Sequence, residues 1–597
     1  MSRQKDKKSI PQIQRPGADE KLVEILTGVI LFAFGVYQSI LYFGHTAVPN
    51  GDFPDFYKVG SDLLAFRLPS QFMRAPVLGL LQNFLYPLAW GPSRELTAGW
   101  LLNAILHPFN LLLLWLIGKK IIGKAAPWLA LLLIINPTTV YLLTEPIIET
   151  TFLFFILLSF YLIFKQTRWA YLAAATASMV RYEAALLILA AFLADIILHR
   201  KEKKRFIKSI TCLCLASLPL AIWMSGTLFT WKPGTTHYVS ILFGKEYSKG
   251  FVEPAENRTG IALNANVLWH TGFAPILAPY PGADKNTADM IFKLYLLLVI
   301  GGFFLGCIIS IIKRQWQIWM LLLFFFPYFL LHCFYPYPMS RFHSITVWIV
   351  MFVCWFGLQD LWRLASDKWG IPKVFAIVFQ IAVIIIAGLW LAGLAPYMHR
   401  QSSLFSPRCA SIPYVAIAVA ALIFAGRLYT EKIPGLLKGL AILAATSLMI
   451  VSNQFTLVRL VGDGQKEIEF RQLGEWFAAN AGPNDKIAVY NCGPAGLFAG
   501  KAADRIIYYP KADTPRQLAE KLREMNITYV TWATREGTTT QHTGYQLAGL
   551  NKTIPFLSQS RNIGCYEFVK KIPSNRGFIN VFRLKDTGDE LLPVSEN

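Results

Sequence analysis

The sequence predicts an α-helical polytopic membrane protein, with about 13 transmembrane helices followed by a small C-terminal α/β domain. Three observations lead there. Of 597 residues, 54% are apolar and only 16% charged, where a soluble chain would carry about 25% charge. The apolar residues fall into blocks of about 20, the length that crosses a bilayer as a helix. Beyond residue 452 the blocks stop, and short strand-like runs alternate with an amphipathic stretch.

In order, residues 1–21 form a basic tail and residues 22–452 a transmembrane module. The expected spans lie at roughly 22–43, 96–117, 125–143, a fourth ending at Lys165, 169–180, a sixth ending at the basic run from His199, 206–229, an eighth ending at Lys313, a ninth reaching Tyr335, a tenth ending before Arg363, 373–394, a twelfth ending at Arg427, and 436–451. Two long segments interrupt them, at 44–95 and 230–289; the first should hold short interfacial helices, and the second is read as a lid. Lys119/Lys120, Lys165/Arg168, His199–Arg205, Lys313/Arg314, Arg363/Lys368 and Arg427/Lys432 all fall in alternate loops. That pattern puts them and the N-terminus inside, and the segment 44–95 and the C-terminal domain outside. It also accounts for the net charge of +21 without nucleic acid, which is not expected as a partner. Lys5, Lys7 and Lys8 precede a long apolar segment with no small-residue cleavage site, so no removable signal peptide is expected.

Residues 453–597 read as the α/β domain. Strands are expected at Lys486–Asn491, Arg505–Tyr509 and Thr528–Trp532, with a helix at Thr514–Met525 started by Pro515. The glycines of NCGPAGLFAG lack the spacing of a phosphate-binding loop. Eight cysteines show no metal-site spacing; Cys492 and Cys565 could pair in an oxidising compartment. Asn257, Asn526 and Asn551 begin N-x-T sequons.

The densest chemistry lies in Asn50–Leu64, NGDFPDFYKVGSDLL, and in Arg74-Ala75-Pro76-Val77-Leu78. Asp52 and Asp55 are candidate bases, because Phe53, Phe56, Tyr57 and Val59 would press the segment onto the bundle and partly desolvate them. Asp, Asn, Gly and Pro also favour ordinary turns, so a plain loop is the alternative. Arg74 is a candidate phosphate ligand or a head-group anchor. Glu145 and Glu149 lie one helical turn apart; an acid within an apolar span faces a cavity or a partner. Arg181 and Glu183 interrupt another apolar stretch, as a phosphate site or as an ion pair. Arg341 and His343 precede a late span. His107, His237 and His270 are read as structural. No HExxH, CxxC pair, P-loop or Ser-His-Asp order stands out.

In their order along the chain these motifs resemble the GT-C superfamily of integral-membrane glycosyltransferases, whose fold the resemblance therefore implies. DFPDFYKVGSDLL resembles the acidic first-loop motif, with Asp52 at the acidic position and Phe53 where a second acid often stands, which leaves Asp55 as a rival. Arg74-Ala75-Pro76-Val77-Leu78 resembles the basic-Pro-Pro-Leu motif, with Ala75 replacing one proline. Thr144-Glu145-Pro146, Val180-Arg181-Tyr182-Glu183-Ala184 and Arg341-Phe342 are similar to later motifs. The resemblance implies inverting sugar transfer from a polyprenyl-phosphate donor to a lipid, glycan or protein acceptor, outside a bacterial plasma membrane. It implies Asp52 or Asp55 as base, and Arg74, Arg341 and Arg181 on the donor phosphate. Glu145 and Glu149 would hold the acceptor or a divalent metal, the one cofactor left open. A transporter or lipid flippase, which would show matching broken halves, and a non-enzymatic assembly protein are the alternatives.

Overall fold

A computed structural model describes residues 18–229, 260–274, 285–334, 340–369, 412–428, 464–535 and 559–585, less 70–71, 73, 92, 200–201, 466, 490–491, 511–514 and 575–576. It also describes Leu557 and scattered helical residues at 377–385 and 436–450. The described residues are mostly helical (77%). The helices are α1 Ala18–Tyr42, α2 Phe53–Leu64, α3 Pro76–Leu85, α4 Arg94–Ile122, α5 Ala126–Ile134, α6 Pro137–Thr144, α7 Ile148–Phe164, α8 Trp169–Ser178, α9 Ala185–His199 and α10 Lys203–Phe229. They continue with α11 Ile261–Leu268, α12 Lys285–Ile312, α13 Trp316–Cys333, α14 Ser340–Ser344, α15 Val347–Trp369 and α16 Ile412–Leu428.

Among the described residues, seven helices are long and apolar enough to cross a membrane, and eight if the bent α6–α7 pair is one span. The expectation of about 13 crossings is not confirmed among the described residues. The ten residues of α8 reach about 15 Å at 1.5 Å per residue, half of a bilayer core. Much of the segments at 373–394 and 436–451, and the segment 230–259 with His237 and Asn257, lie outside the described residues.

The bundle has two distinct ends. At one, Lys119 pairs with Glu24 at 2.5 Å, Lys120 Nζ donates to Phe164 O at 2.9 Å, and Lys313 pairs with Asp360 at 2.5 Å. The start of α1 and the ends of α4, α7 and α12 therefore share this basic end. The opposite end gathers the starts of α4 and α7, the segment after α1, and α14.

The 44–95 segment does hold two helices, α2 and α3, which cross at a glycine pair. A Cβ on Gly79 would stand 1.9 Å from Phe56 O, and one on Gly60 would stand 2.1 Å from the Gly79 carbonyl carbon. No side chain fits there, so the two backbones touch. Asn83 Nδ2 closes the contact by donating to Tyr57 O at 2.8 Å. Gly79→Val should lower the thermal unfolding midpoint of the purified protein, with the overpacking cost at least about 1–3 kcal/mol; an unchanged midpoint would mean the helices do not meet there.

The span made of α6 and α7 is broken by a 115° bend at Glu145-Pro146-Ile147, because Pro146 has no N–H to continue the helix. Exposed carbonyls at this depth need partners, and polar side chains from α3 and α4 supply them. Asn103 Nδ2 donates to Glu145 O at 2.6 Å and to Leu143 O at 3.2 Å. Gln82 Nε2 donates to Pro146 O at 3.1 Å, and Asn110 Nδ2 donates to Thr150 O at 3.2 Å. His107 pairs with Gln38 at 2.9 Å, a structural role as read from the sequence.

In the C-terminal part, β1 Ile487–Val489, β2 Ile506–Tyr508, β3 Tyr529–Arg535, β4 Tyr566–Ser574 and β5 Gly577–Leu584 form one sheet in the order β2-β1-β3-β5-β4. The first three are the strands expected from the sequence; β1 runs parallel to β2 and β3, and the β4–β5 hairpin is antiparallel. Helices α17 Ile468–Asn480, α18 Cys492–Ala499 and α19 Pro515–Glu524 pack on it. Cys492 and Cys565 are free and belong to separate core clusters, built on alternate residues of the same strands and hence on opposite faces. They do not pair.

This sheet meets the membrane part beside α2. Ala47 N donates to Gly464 O at 2.9 Å, and a Cβ on Gly493 would stand 2.7 Å from Gly51 O. The backbone at the start of α18 is thereby held against the residue before Asp52.

Candidate active site

Six of the seven candidate residues form one chain of alternating charges at the non-basic end of the bundle. Asp52 is the N-cap of α2 and Asp55 lies in its first turn. Arg74 stands two residues before Pro76, the first residue of α3, and Val77 N is anchored on Met179 O at 3.1 Å. The Arg74 guanidinium donates to Asp52 Oδ1 at 2.7 Å and to Asp55 Oδ2 at 3.3 Å. Arg341, on α14, donates to the other Asp52 oxygen at 3.1 Å. Its Nε lies 3.6 Å from Glu149 Oε1, at the start of α7.

Beyond Glu149 the chain continues into the protein. Arg181 lies 3.8 Å from the same Glu149 oxygen and makes a fork to Glu183 at 2.8 and 3.4 Å. The Phe342 ring lies between two of these cations, 4.7 Å from the Arg181 guanidinium carbon and 5.3 Å from that of Arg341. Phe152 lies 5.4 Å from Arg181, and Phe56 lies 5.2 Å from Arg74. Such faces favour a cation most where water is excluded.

Among the acids exposure falls from Asp55 to Glu149, while Arg74, Arg341 and Arg181 are all largely buried, at 12%, 20% and 10%. The Asp55 side chain is 45% exposed, Asp52 30% and Glu149 0%. A ligand arriving from outside meets Asp55, Asp52, Arg74 and Arg341 first. Arg181 and Glu149 sit behind them, in van der Waals contact with protein.

The two aspartates differ electrostatically. Burial alone would raise Asp52, but the Arg74 and Arg341 guanidiniums outweigh it and hold the carboxyl below its ordinary value. Burial raises Asp55; Arg74 opposes this and the charge on Asp52 adds to it, leaving the carboxyl above the ordinary value. Of the pair, Asp55 is the better proton acceptor and Asp52 the better counter-ion. Burial pushes the His343 imidazole down to about 4, and its Nε2 is bonded to Asn264 Oδ1 at 2.8 Å; this neutral histidine braces α14 against α11.

Glu145 stands apart from the chain. It occupies the C-cap position of α6. No group of three His, Cys, Asp or Glu side chains is placed to hold a metal among the described residues. The neighbours of Glu149 are two guanidiniums, which repel a cation. Glu149, between these cations, therefore does not fit a divalent metal.

Arg181 and Glu183 form the mutual ion pair that the sequence reading held as one of its alternatives. Tyr508 escaped that reading; burial, together with Cys492, Asp55 and Asp52, pushes its hydroxyl up to about 12. Tyr508 ends β2, so it lies at the carboxyl edge of the parallel pair. Ligands commonly meet open α/β sheets at that edge, a signal the expected strand Arg505–Tyr509 already carried.

No family model matches the chain, and no curated protein matches it. Among solved structures, it is similar to ArnT from Cupriavidus metallidurans bound to undecaprenyl phosphate, with 11% identity and a TM-score of 0.49, over 94% of this chain and 97% of that one. The same protein in the apo state gives 13% identity and a TM-score of 0.48 over the same shares. The oligosaccharyltransferase of Archaeoglobus fulgidus tethered with an acceptor peptide gives 12% and 0.49, over 96% of this chain and 75% of that one.

Proposed function

We propose that this protein is a membrane glycosyltransferase that moves a sugar from a polyprenyl-phosphate donor to an acceptor hydroxyl outside the membrane, with inversion at the anomeric carbon. The observation that carries this reading is the pair of guanidiniums, Arg74 and Arg341, converging on Asp52 beside the more open Asp55. Two forked cations that already grip one oxyanion can grip a phosphate in its place. As the bond from anomeric carbon to phosphate oxygen breaks, the electron pair leaves with the phosphate. Arg74 and Arg341 stabilise the charge that grows there.

Asp55 accepts the proton of the acceptor hydroxyl while that oxygen bonds to the anomeric carbon. Asp52, clamped from both sides, keeps the two guanidiniums in register when no donor is bound. One base with direct displacement gives inversion; retention would need a second carboxylate as nucleophile. Glu149 holds Arg341 from behind, and Arg181 pairs with the same Glu149 oxygen. Glu145 and Tyr508 border the acceptor side. The positive-inside pattern puts the basic end of the bundle in the cytoplasm, and hence the site and the C-terminal α/β unit outside. A lipid carries the donor because its head group meets a site at this depth.

The test supplies purified protein in nanodiscs with polyprenyl-phosphate sugars and a panel of lipid, glycan and peptide acceptors. Transfer from a lipid-linked donor, with release of the polyprenyl phosphate, is expected. Lipid movement across vesicles with no sugar transferred from any donor would instead make the chain a transporter.

A further inference from the structure

Between α2 and α3 the chain passes through Phe72, Arg74 and Ala75 before Pro76 opens α3, and this strap is tied down at both ends. We propose that Trp223 on α10 and Tyr182, acting through the Phe72 carbonyl, are positioning residues that set the Arg74 guanidinium for the donor phosphate. The proposal rests on the functional reading above, which places a lipid-linked phosphate against Arg74.

At one end, the Tyr182 hydroxyl donates to Phe72 O at 3.0 Å and Trp223 Nε1 donates to the same oxygen at 3.1 Å. The indole N–H also meets the Tyr182 oxygen at 3.2 Å, so the three groups close a ring of hydrogen bonds. The Phe72 side chain tilts against the indole with ring centroids 4.8 Å apart. A Cβ on Gly226, about one turn after Trp223, would stand 2.8 Å from the Phe72 ring, so glycine leaves the room that the ring occupies. At the other end of the strap, Val77 N donates to Met179 O at 3.1 Å.

Little freedom remains between these ties. Ala75 is buried and extended, with φ −65° and ψ 141°, the conformation that a following proline imposes, and Pro76 fixes its own φ. A shift of the backbone at Phe72 therefore passes to Arg74, whose bonds to Asp52 and Asp55 are 2.7 and 3.3 Å long. Misplacement by about 1 Å at a reacting centre can cost about 10²-fold in rate. Tyr182 stands between Arg181 and Glu183, which make their own buried pair while the tyrosine reaches out to the strap. One short turn thus serves both the deep guanidinium and the open one.

The experiment compares the parent in nanodiscs with W223F/Y182F, which keeps both rings and removes both donors. Hydrogen exchange by mass spectrometry reads the strap: the peptide containing Val77 should exchange about fivefold faster or more, while peptides from β1 and β3 stay as in the parent. In sugar transfer, donor KM should rise by about tenfold with acceptor KM unchanged. Adding R74Q tests the route. Groups in one network are not additive, so the triple variant should show the donor KM of R74Q alone. Strap exchange equal to the parent's overturns the proposal. So does a KM penalty that adds in full to that of R74Q, because Trp223 and Tyr182 would then act without Arg74. Should the double variant fail to fold, Y182F, which leaves the indole donor in place, is read in the same two ways. A parent that transfers sugar from no donor would sink the functional reading instead. Strap exchange would then still decide the ties, and additive shifts of the unfolding midpoint with R74Q would overturn their link to Arg74.

Discussion

Asp55→Asn should lower kcat for sugar transfer by about 10²–10⁴-fold, the usual worth of a positioned base, with donor KM little changed. The amide keeps the shape of the carboxylate and can still meet Arg74 poorly at most, so the loss reports the proton acceptor. Asp52→Asn should act differently, because Asp52 is held by two guanidiniums and its role is to position them; donor KM should move with kcat. The pH profile separates the two further. The base must be ionised to act, so kcat/KM should rise with pH, through an apparent pKa above the ordinary aspartate value of about 3.9. The charge on Asp52 raises Asp55 and Arg74 lowers it. Asp52→Asn should therefore move the acid limb to lower pH, and Arg74→Gln to higher pH. Full activity in Asp55→Asn together with a dead Asp52→Asn would reverse the assignment.

The fold was legible wherever one physical signal dominated. Apolar blocks located α1, α4, α9, α10, α12 and α13, because burial in lipid admits little else over about 20 residues. The strands β1, β2 and β3 and the helix α19 were legible from β-branched runs and from Pro515. The hairpin β4–β5 was not, since YEFVKKIPS and GFINVFRL mix charges into one strand and turn around residues with no marked hairpin dipeptide. A turn at Thr144-Glu145-Pro146 was legible from its proline, whereas the partners of its carbonyls, Asn103 and Gln82, were not, because they lie far away in sequence. At the candidate site, residue types named the acids and arginines, yet nothing in spacing could order them. The contact between Arg341 and Asp52 spans 289 residues. The rank of Asp52 over Asp55, taken from motif position, also could not anticipate that two guanidiniums would converge on the first and leave the second more open. Arg181 shared its motif rank with Arg74, whereas its burial is a property of the packed bundle.

Arg181→Ala should be the most destabilising single change in the site, at about 3–5 kcal/mol, the cost of breaking a buried ion pair from one side. The Arg181 side chain is 10% exposed, and it separates Glu149, which is fully buried, from Glu183. Removing the guanidinium leaves Glu183 with no other ion-pair partner among the described residues and leaves Glu149 to Arg341 alone at 3.6 Å. It also empties the space between the rings of Phe152 and Phe342. Lysine should not rescue it fully, because a single ammonium cannot fork to both Glu183 oxygens or lie flat on two rings. Neutralising both partners should, in part: R181M/E183Q removes the stranded charge and refills the volume, so its thermal midpoint should lie above that of Arg181→Ala. Arg74→Ala provides the contrast, since Arg74 borders the open end. Its main effect should be a raised donor KM with a smaller loss of stability. Were Arg181→Ala to unfold like the parent and lose donor affinity instead, Arg181 would be a phosphate ligand, and the boundary between substrate-gripping and supporting guanidiniums would move one residue deeper into the bundle.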